Sequence, residues 1–254
     1  MMLDERLHSI LQYMEKHRAA TLKQLAELNG VSLDTVRRDL VRLEDDGKLK
    51  RVRGGAVIGS VGAAAQAQSA DTEHQDKKQA IAAVLGRYIE DGQAVALCGG
   101  TTCAHAAAYL AENRRRLTVL TNNLKALHIL ASAPSFTIIV PGGIVDSDTD
   151  ELFGQQCEAE IKNYNIDVAV IGAASVSLEN GLTDNRFYQK GVIQSIISIS
   201  QKKILAADST KFDRTSSVHI CRLEELDVII SDSSLPRKTV LALKKMGLTV
   251  EAQI

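Results

Sequence analysis

The apolar positions follow one rhythm near the start of the chain and another over the remainder. Leu3, Leu7, Ile10, Leu11 and Met14 recur at spacings that place them on one face of an amphipathic helix, over about Asp4 to His17. Thr21 offers an N-cap hydroxyl to a short second helix with a stripe of Leu22, Leu25 and Leu28, and Asn29-Gly30 supplies the left-handed turn that stops it. Ser32 is placed to cap a third helix, with Leu33, Val36, Leu40 and Leu43 as its expected buried face and Gly47 as its end. Leu49 to Val57 then alternates basic and apolar residues around a double glycine, as a β-hairpin does. Three short helices with a tight turn between the last two, followed by a hairpin, predict a winged helix-turn-helix over residues 1–57.

From Lys77 the pattern changes to repeated βα units. A helix is expected at about 77–90, then strands at Val95–Cys98, Leu117–Thr121, Thr137–Val140, Val168–Ile171, Ile204–Ala207, Val228–Ile230 and Thr249–Val250. The helices between them are expected at Cys103–Glu112 and near 124–132, 155–163, 187–201 and 236–246. Wholly apolar strands alternating with helices imply a mostly parallel sheet covered on both faces, a Rossmann-like α/β domain over 77–254. Residues 58–76 open with small, weakly polar, aperiodic positions and read as the linker. The fold class is therefore α/β, with a small winged helix-turn-helix domain before a larger α/β domain.

Charge adds to this only locally. The net charge of −1 names no nucleic-acid partner. Residues 1–57, however, carry 11 Lys and Arg against 9 Asp and Glu, and the positive side chains come late, at Arg37, Arg38, Arg42, Lys48, Lys50, Arg51 and Arg53. No stretch is long and uncharged enough for a membrane span, so a cytoplasmic protein with no membrane partner is expected. The four cysteines lack CxxC spacing, which argues against a zinc ribbon or a disulfide framework; no metal is expected.

In a helix-turn-helix the N-terminal half of the last helix enters the major groove, so residues off its apolar stripe meet bases and phosphates. Here these are Ser32, Asp34, Thr35, Arg37 and Arg38, with Lys50, Arg51 and Arg53 on the wing facing the phosphate backbone. An arginine fork can pair bidentately with guanine or clamp a phosphate. In the large domain, ligands are expected beyond the carboxyl ends of the strands. Gly99-Gly100-Thr101-Thr102 opens a helix after the first strand and can surround an anion with backbone N–H groups and hydroxyls. Thr121-Asn122, Gly142-Gly143, Gly172, and Asp208 with Lys211 stand at other strand ends, as a small-molecule site would require. Neither a Walker loop nor a G-x-G-x-x-G fingerprint is present, so no nucleotide cofactor is expected.

Taken together, the run VSLDTVRRDLVRLEDDGKLKRVRGGA, from Val31 to Ala56, resembles the DNA-binding segment of the DeoR family of bacterial regulators. Gly100-Thr101-Thr102, Thr121-Asn122, Gly142-Gly143 and Asp208-Ser209-Thr210-Lys211-Phe212 match that family's effector domain in order. The resemblance implies that Ser32, Thr35, Arg37 and Arg38 contact DNA and that Asp39 supports them. It also implies that the large domain is similar to sugar-phosphate isomerases and binds a phosphorylated sugar. The family expectation is a homodimeric or homotetrameric repressor of a carbohydrate operon, released from double-stranded operator DNA by that effector. Two positions depart from the family: Cys98 stands where many members have Asp, and Gln189 where many have Glu.

Two other functions are open to the residues. A sugar-phosphate isomerase needs a positioned base, and the loop Ile171-Gly172-Ala173-Ala174-Ser175-Val176 lacks the acids such enzymes place there, although Glu179 and Asp184 follow. No catalytic residue is assigned. A purely architectural DNA-binding protein would not need polar strand ends. Cys98 near a helix N-terminus also raises a redox-sensor reading, since that position can lower a thiol pKa.

Overall fold

The computed structural model describes residues 3–17, 19–46, 48–52, 55–57 and 74–252. The chain divides into two compact units, Met1–Ala70 and Asp71–Ile254. The expected linker lies outside the described residues as far as residue 73.

The first unit runs α1 (Leu3–His17), β1 (Ala19–Thr21), α2 (Leu22–Asn29), α3 (Leu33–Asp45), β2 (Lys50–Val52) and β3 (Gly55–Val57). Thr21 caps α2 by accepting from the Gln24 backbone N–H at 3.2 Å, and the Gln24 side chain accepts from the Thr21 N–H at 2.9 Å in return. Gly30, at φ 62°, ends the helix. The strands form an antiparallel sheet ordered β1-β3-β2. Position 55 must be glycine, because a Cβ there would lie 2.1 Å from the Ala20 carbonyl oxygen. Ile10, Met14, Leu25, Val36, Leu40, Leu43, Leu49 and Ala56 make the core.

Two expected core residues lie outside it: Leu28 and Leu33 are 46% and 44% exposed. They flank the turn between α2 and α3. Asp39 takes an inward place on α3 instead, at 2% exposure. It is held there by Arg6 of α1, whose Nε donates to Oδ2 at 2.5 Å and whose Nη2 donates to Oδ1 at 3.0 Å. Gly47, the expected end of α3, lies outside the described residues, and the helix closes at Asp45.

The second unit begins with α4 (Gln75–Leu85), which continues as a 3₁₀ turn over Gly86–Tyr88. A seven-stranded parallel sheet follows, built from β4 (Ala94–Cys98), β5 (Thr118–Thr121), β6 (Thr137–Ile139), β9 (Ile166–Ile171), β12 (Ser200–Ala206), β14 (Val228–Ile230) and β15 (Thr249–Glu251). Its helices are α5 (Gly100–Asn113), α6 (Leu124–Leu130), α7 (Gln155–Ile161), α8 (Gln189–Ile199) and α9 (Arg237–Lys245). Alternate strand residues enter opposite layers, as the pleat requires. Val95, Leu97, Val168, Val170 and Ile204 pack with α4, α5 and α6. Ala96, Cys98, Ala169, Ile171 and Leu205 pack with α7, α8 and α9.

Two small antiparallel sheets were not expected: β7 (Ile144–Asp146) with β8 (Glu151–Phe153), and β10 (Ser175–Ser177) with β11 (Gly181–Asp184) and β13 (Val218–Cys221). Each strand has only three or four residues, too few to set up an alternation. In space the main strands run β6-β5-β4-β9-β12-β14-β15. The chain thus steps outward from β4 to β6, crosses back to β9, and steps outward the other way. The reversal between β4 and β9 opens a crevice at their carboxyl ends.

Candidate functional site

On the first unit, the expected DNA-reading residues gather at the start of α3. Ser32 caps the helix by accepting from the Thr35 N–H at 3.2 Å, and the two hydroxyls are 2.9 Å apart. Asp34, Arg37 and Arg38 are exposed. Arg37 donates to Asp34 at 2.6 Å across one turn. Such an exposed pair is worth roughly 0.2–1 kcal/mol, so Arg37 can exchange it for a phosphate or base at small cost. Arg38 has no hydrogen bond or ion pair among the described residues. Arg51 is fastened to α3: its backbone N–H donates to Glu44 at 2.8 Å and its Nε to the other carboxylate oxygen at 2.5 Å. The Lys50 side chain and Arg53 lie outside the described residues.

On the second unit, Gly99 and Gly172 end β4 and β9, the strands that flank the crevice. They approach so closely that a Cβ on Gly172 would lie 2.9 Å from the Gly99 carbonyl oxygen. The helix expected from Cys103 starts earlier, at Gly100. Thr101 and Thr102 therefore sit in its first turn, where backbone N–H groups have no intrahelical acceptor. Neither threonine hydroxyl has a hydrogen-bond partner among the described residues. Thr101 also lines an open groove of about 480 Å³ with Gln79, His105 and Lys125.

The Gly100 N–H is occupied. It donates at 2.7 Å to Glu151, a residue of β8 that is 1% exposed. Gln189 donates its side-chain amide to the other Glu151 oxygen, and the Arg186 guanidinium lies 3.8 Å away. Burial pushes the Glu151 carboxyl above its ordinary range against the pull of Arg186 and the Gly100 N–H, and neighbouring Asp184 and Asp146 push the same way. Arg186 itself grips the buried Asp184 with two bonds of 2.9 Å. The carboxylate that the family pattern would put at position 189 thus has a counterpart at position 151. Glu151 and Arg186 escaped the sequence reading: Glu151 ends an acidic run that looks like solvated loop, and Arg186 follows a strand too short to recognise.

The other expected effector residues divide by role. Thr121 is buried, donating to the Leu97 carbonyl at 2.8 Å and accepting from the Asn123 N–H at 3.1 Å, so its hydroxyl is spent on the fold. Asn122 donates to the Leu152 carbonyl at 3.0 Å, while its buried Oδ1 has no partner. Asn123, at the same polar strand end as Thr121 and Asn122, caps α6 and donates to the Gly100 carbonyl at 3.0 Å. Gly142 and Gly143 stand at the root of the β7–β8 hairpin, where a Cβ on Gly143 would lie 2.7 Å from the Phe153 carbonyl oxygen. Asp208, 1% exposed, caps the 3₁₀ turn Ser209–Lys211 through the Thr210 N–H at 3.0 Å. Asp232 secures that turn by accepting from the Ser209 N–H at 2.6 Å and from Lys77 at 3.0 Å. Although burial opposes it, these bonds hold the Asp232 carboxyl well below the usual carboxylate range. Lys211 is half-buried at the end of the turn, with no hydrogen bond or ion pair among the described residues.

Cys98 does not fit a redox sensor. It is fully buried, and burial pushes its thiol well above the ordinary value, with Glu151 adding to the effect. Burial likewise raises Cys103 and Cys221 to about 12 and Cys157 to about 11. Since the thiolate is the reactive form, a thiol reagent at neutral pH should modify none of the four cysteines until the chain is unfolded. Rapid labelling of Cys98 in the folded protein would contradict this placement.

Two family models match the chain: the DeoR-like helix-turn-helix domain over residues 6–60 and the DeoR C-terminal sensor domain over residues 73–233. The HTH-type transcriptional repressor GlcR of Bacillus subtilis is 31% identical over 90% of this chain and 88% of its own length. The transcriptional repressor AccR of Agrobacterium fabrum is 30% identical, covering 90% and 89%. The HTH-type transcriptional repressor CsqR of Escherichia coli is 28% identical, covering 85% and 82%. Among solved structures, ribose 5-phosphate isomerase A of Methanocaldococcus jannaschii aligns at a TM-score of 0.41 with 14% identity over 55% of each chain. The sorbitol operon regulator SorC of Klebsiella pneumoniae aligns at 0.34 with 12% identity over 99% and 96%. With sensor and helix-turn-helix models both matched, and regulators as its relatives, this chain belongs to the DeoR family of DNA-binding transcriptional regulators.

Proposed function

We propose that the chain represses a carbohydrate catabolic operon in the cytoplasm, binding operator DNA as a homodimer or homotetramer and leaving it when a phosphorylated sugar binds the second unit. The observation that carries the effector half is the turn at Gly99–Thr102. Its first-turn N–H groups after Gly100, whose own N–H Glu151 holds, and two threonine hydroxyls with no partner among the described residues stand at the reversal between β4 and β9, a favourable place for a phosphate at the positive end of a helix. Lys211, at the end of the turn that follows β12 and with no partner among the described residues, supplies a cation for that phosphate. Ser32, Thr35, Arg37 and Arg38 read the operator, and Lys50, Arg51 and Arg53 track its backbone. A ligand that favours the released state by roughly 1–3 kcal/mol would lower operator affinity about five- to 150-fold.

Thermal unfolding against a panel of sugar phosphates, each paired with its free sugar, tests this, because a ligand that binds only the folded state raises stability by mass action. One phosphorylated member is expected to stabilise the protein while its free sugar does not. Lys211→Ala should remove that shift and leave DNA binding unchanged. A broad panel without any shift would favour an architectural role for the second unit.

A further inference from the structure

Beside the Gly99–Thr102 turn lies a group of side chains with unused acceptor oxygens. Asn122 and Gln189 are 0% and 1% exposed, and each donates one amide N–H to a neighbour while its oxygen has no partner among the described residues. Glu151, joined to Gln189 and to the Gly100 N–H, is a third acceptor with lone pairs to spare. The backbone links them: the Leu152 N–H donates to the Asn122 carbonyl at 2.7 Å, beside the Leu152 carbonyl that Asn122 holds. A buried oxygen left without a donor is costly, and two in one cluster call for a partner that brings O–H groups. The dianionic phosphate group of a monoester brings only acceptors, so it cannot answer them. Arg186, 3.8 Å from Glu151 and 30% exposed, is the cluster's partly exposed neighbour and is itself held to Asp184 by two bonds of 2.9 Å.

We propose, resting on the effector reading above, that Asn122, Glu151 and Gln189 form the hydroxyl-reading end of the effector site and select a polyhydroxylated phosphate ester over phosphate alone. The phosphate occupies the Gly99–Thr102 turn, and hydroxyls of the sugar carbon chain donate to the three acceptors. A site built on such acceptors discriminates strongly, because a ligand lacking the hydroxyl leaves them unpaired. Gln189 is then a specificity determinant: glutamate at that position would set a second carboxylate against Glu151.

Calorimetric titration of the full chain with inorganic phosphate, pentose 5-phosphates and hexose 6-phosphates tests this, alongside Glu151→Gln and the nearly isosteric Gln189→Met, each first checked for cooperative unfolding. The unaltered chain should bind one sugar phosphate at least about tenfold more tightly than inorganic phosphate; Gln189→Met should lose about tenfold for that sugar phosphate with inorganic phosphate unchanged, and Glu151→Gln should narrow the ratio of the two affinities by about tenfold. A margin that survives in both variants overturns the proposal. So does a Glu151→Gln chain that gains affinity for inorganic phosphate and for the sugar phosphate in equal proportion, since the carboxylate would then only be repelling the anion from the turn rather than reading hydroxyls. Failure of every sugar phosphate to bind the unaltered chain would remove the effector reading, and this inference with it.

Discussion

Arg38→Ala is expected to cost about 1–3 kcal/mol of operator binding per half-site, and so roughly twice that for a two-fold symmetric complex. The specific-over-nonspecific margin of such proteins is about 4–10 kcal/mol, so the loss would consume much of it. Arg38 is the sharper choice than Arg37, which starts from an intramolecular pair with Asp34. Anisotropy titrations on a fragment selected in vitro by the unaltered protein would measure the effect, with ligand-induced thermal stabilisation as the companion readout. The stabilisation should persist. If both fall together, the two units do not divide reading and sensing between them. If binding weakens equally on unrelated DNA and the salt slope drops by about one, Arg38 holds a phosphate rather than a base.

Asp39→Ala should act on stability instead. It leaves Arg6, whose side chain is 13% exposed, facing a cavity with no counter-charge. Removing one member of a fully buried pair costs about 3–5 kcal/mol, and this pair, whose arginine reaches solvent, should cost less than that. Whole domains are stable by only about 5–15 kcal/mol, and this one is small. Hydrogen exchange on the full chain should show the amides of α1 and α3 losing most of their protection while those of β4 and β9 keep theirs. Arg6→Met combined with Asp39→Leu should restore much of it, since an apolar pair of similar volume avoids the unpaired charge. Unchanged protection in the single variant would mean that the pair contributes little.

The legibility of the chain followed the length and regularity of its elements. The caps at Thr21 and Ser32 and the left-handed Gly30 were readable because capping depends on a few local atoms. The central strands of the main sheet, β4, β9 and β14 above all, were readable because strands buried on both faces are uninterrupted apolar runs. The interior of the site was not. Glu151 lies on a three-residue strand within an acidic run, and nothing local marks one of several acids as the buried one. Asp39 is a similar case: its charge suggests the solvent face of α3, and only the arrival of Arg6 from α1 makes its burial favourable. Leu28 and Leu33 erred the other way, since periodicity assigns a face but not how far the neighbouring helices extend.

The crevice at the reversal of strand order has a consequence for any attempt to divide the second unit. Its walls come from distant parts of the chain: Gly99–Thr102 follows β4, Gly172 follows β9, and Glu151 is delivered from between them. A break introduced between β8 and β9 would give one fragment holding the turn and Glu151 and another holding Gly172, Gln189 and Lys211. Neither fragment has two walls. Ligand affinity should then behave as a property of reassociation, absent from each piece and recovered only as the two re-form the β4–β9 pairing, which makes the effector itself a reporter for fragment complementation.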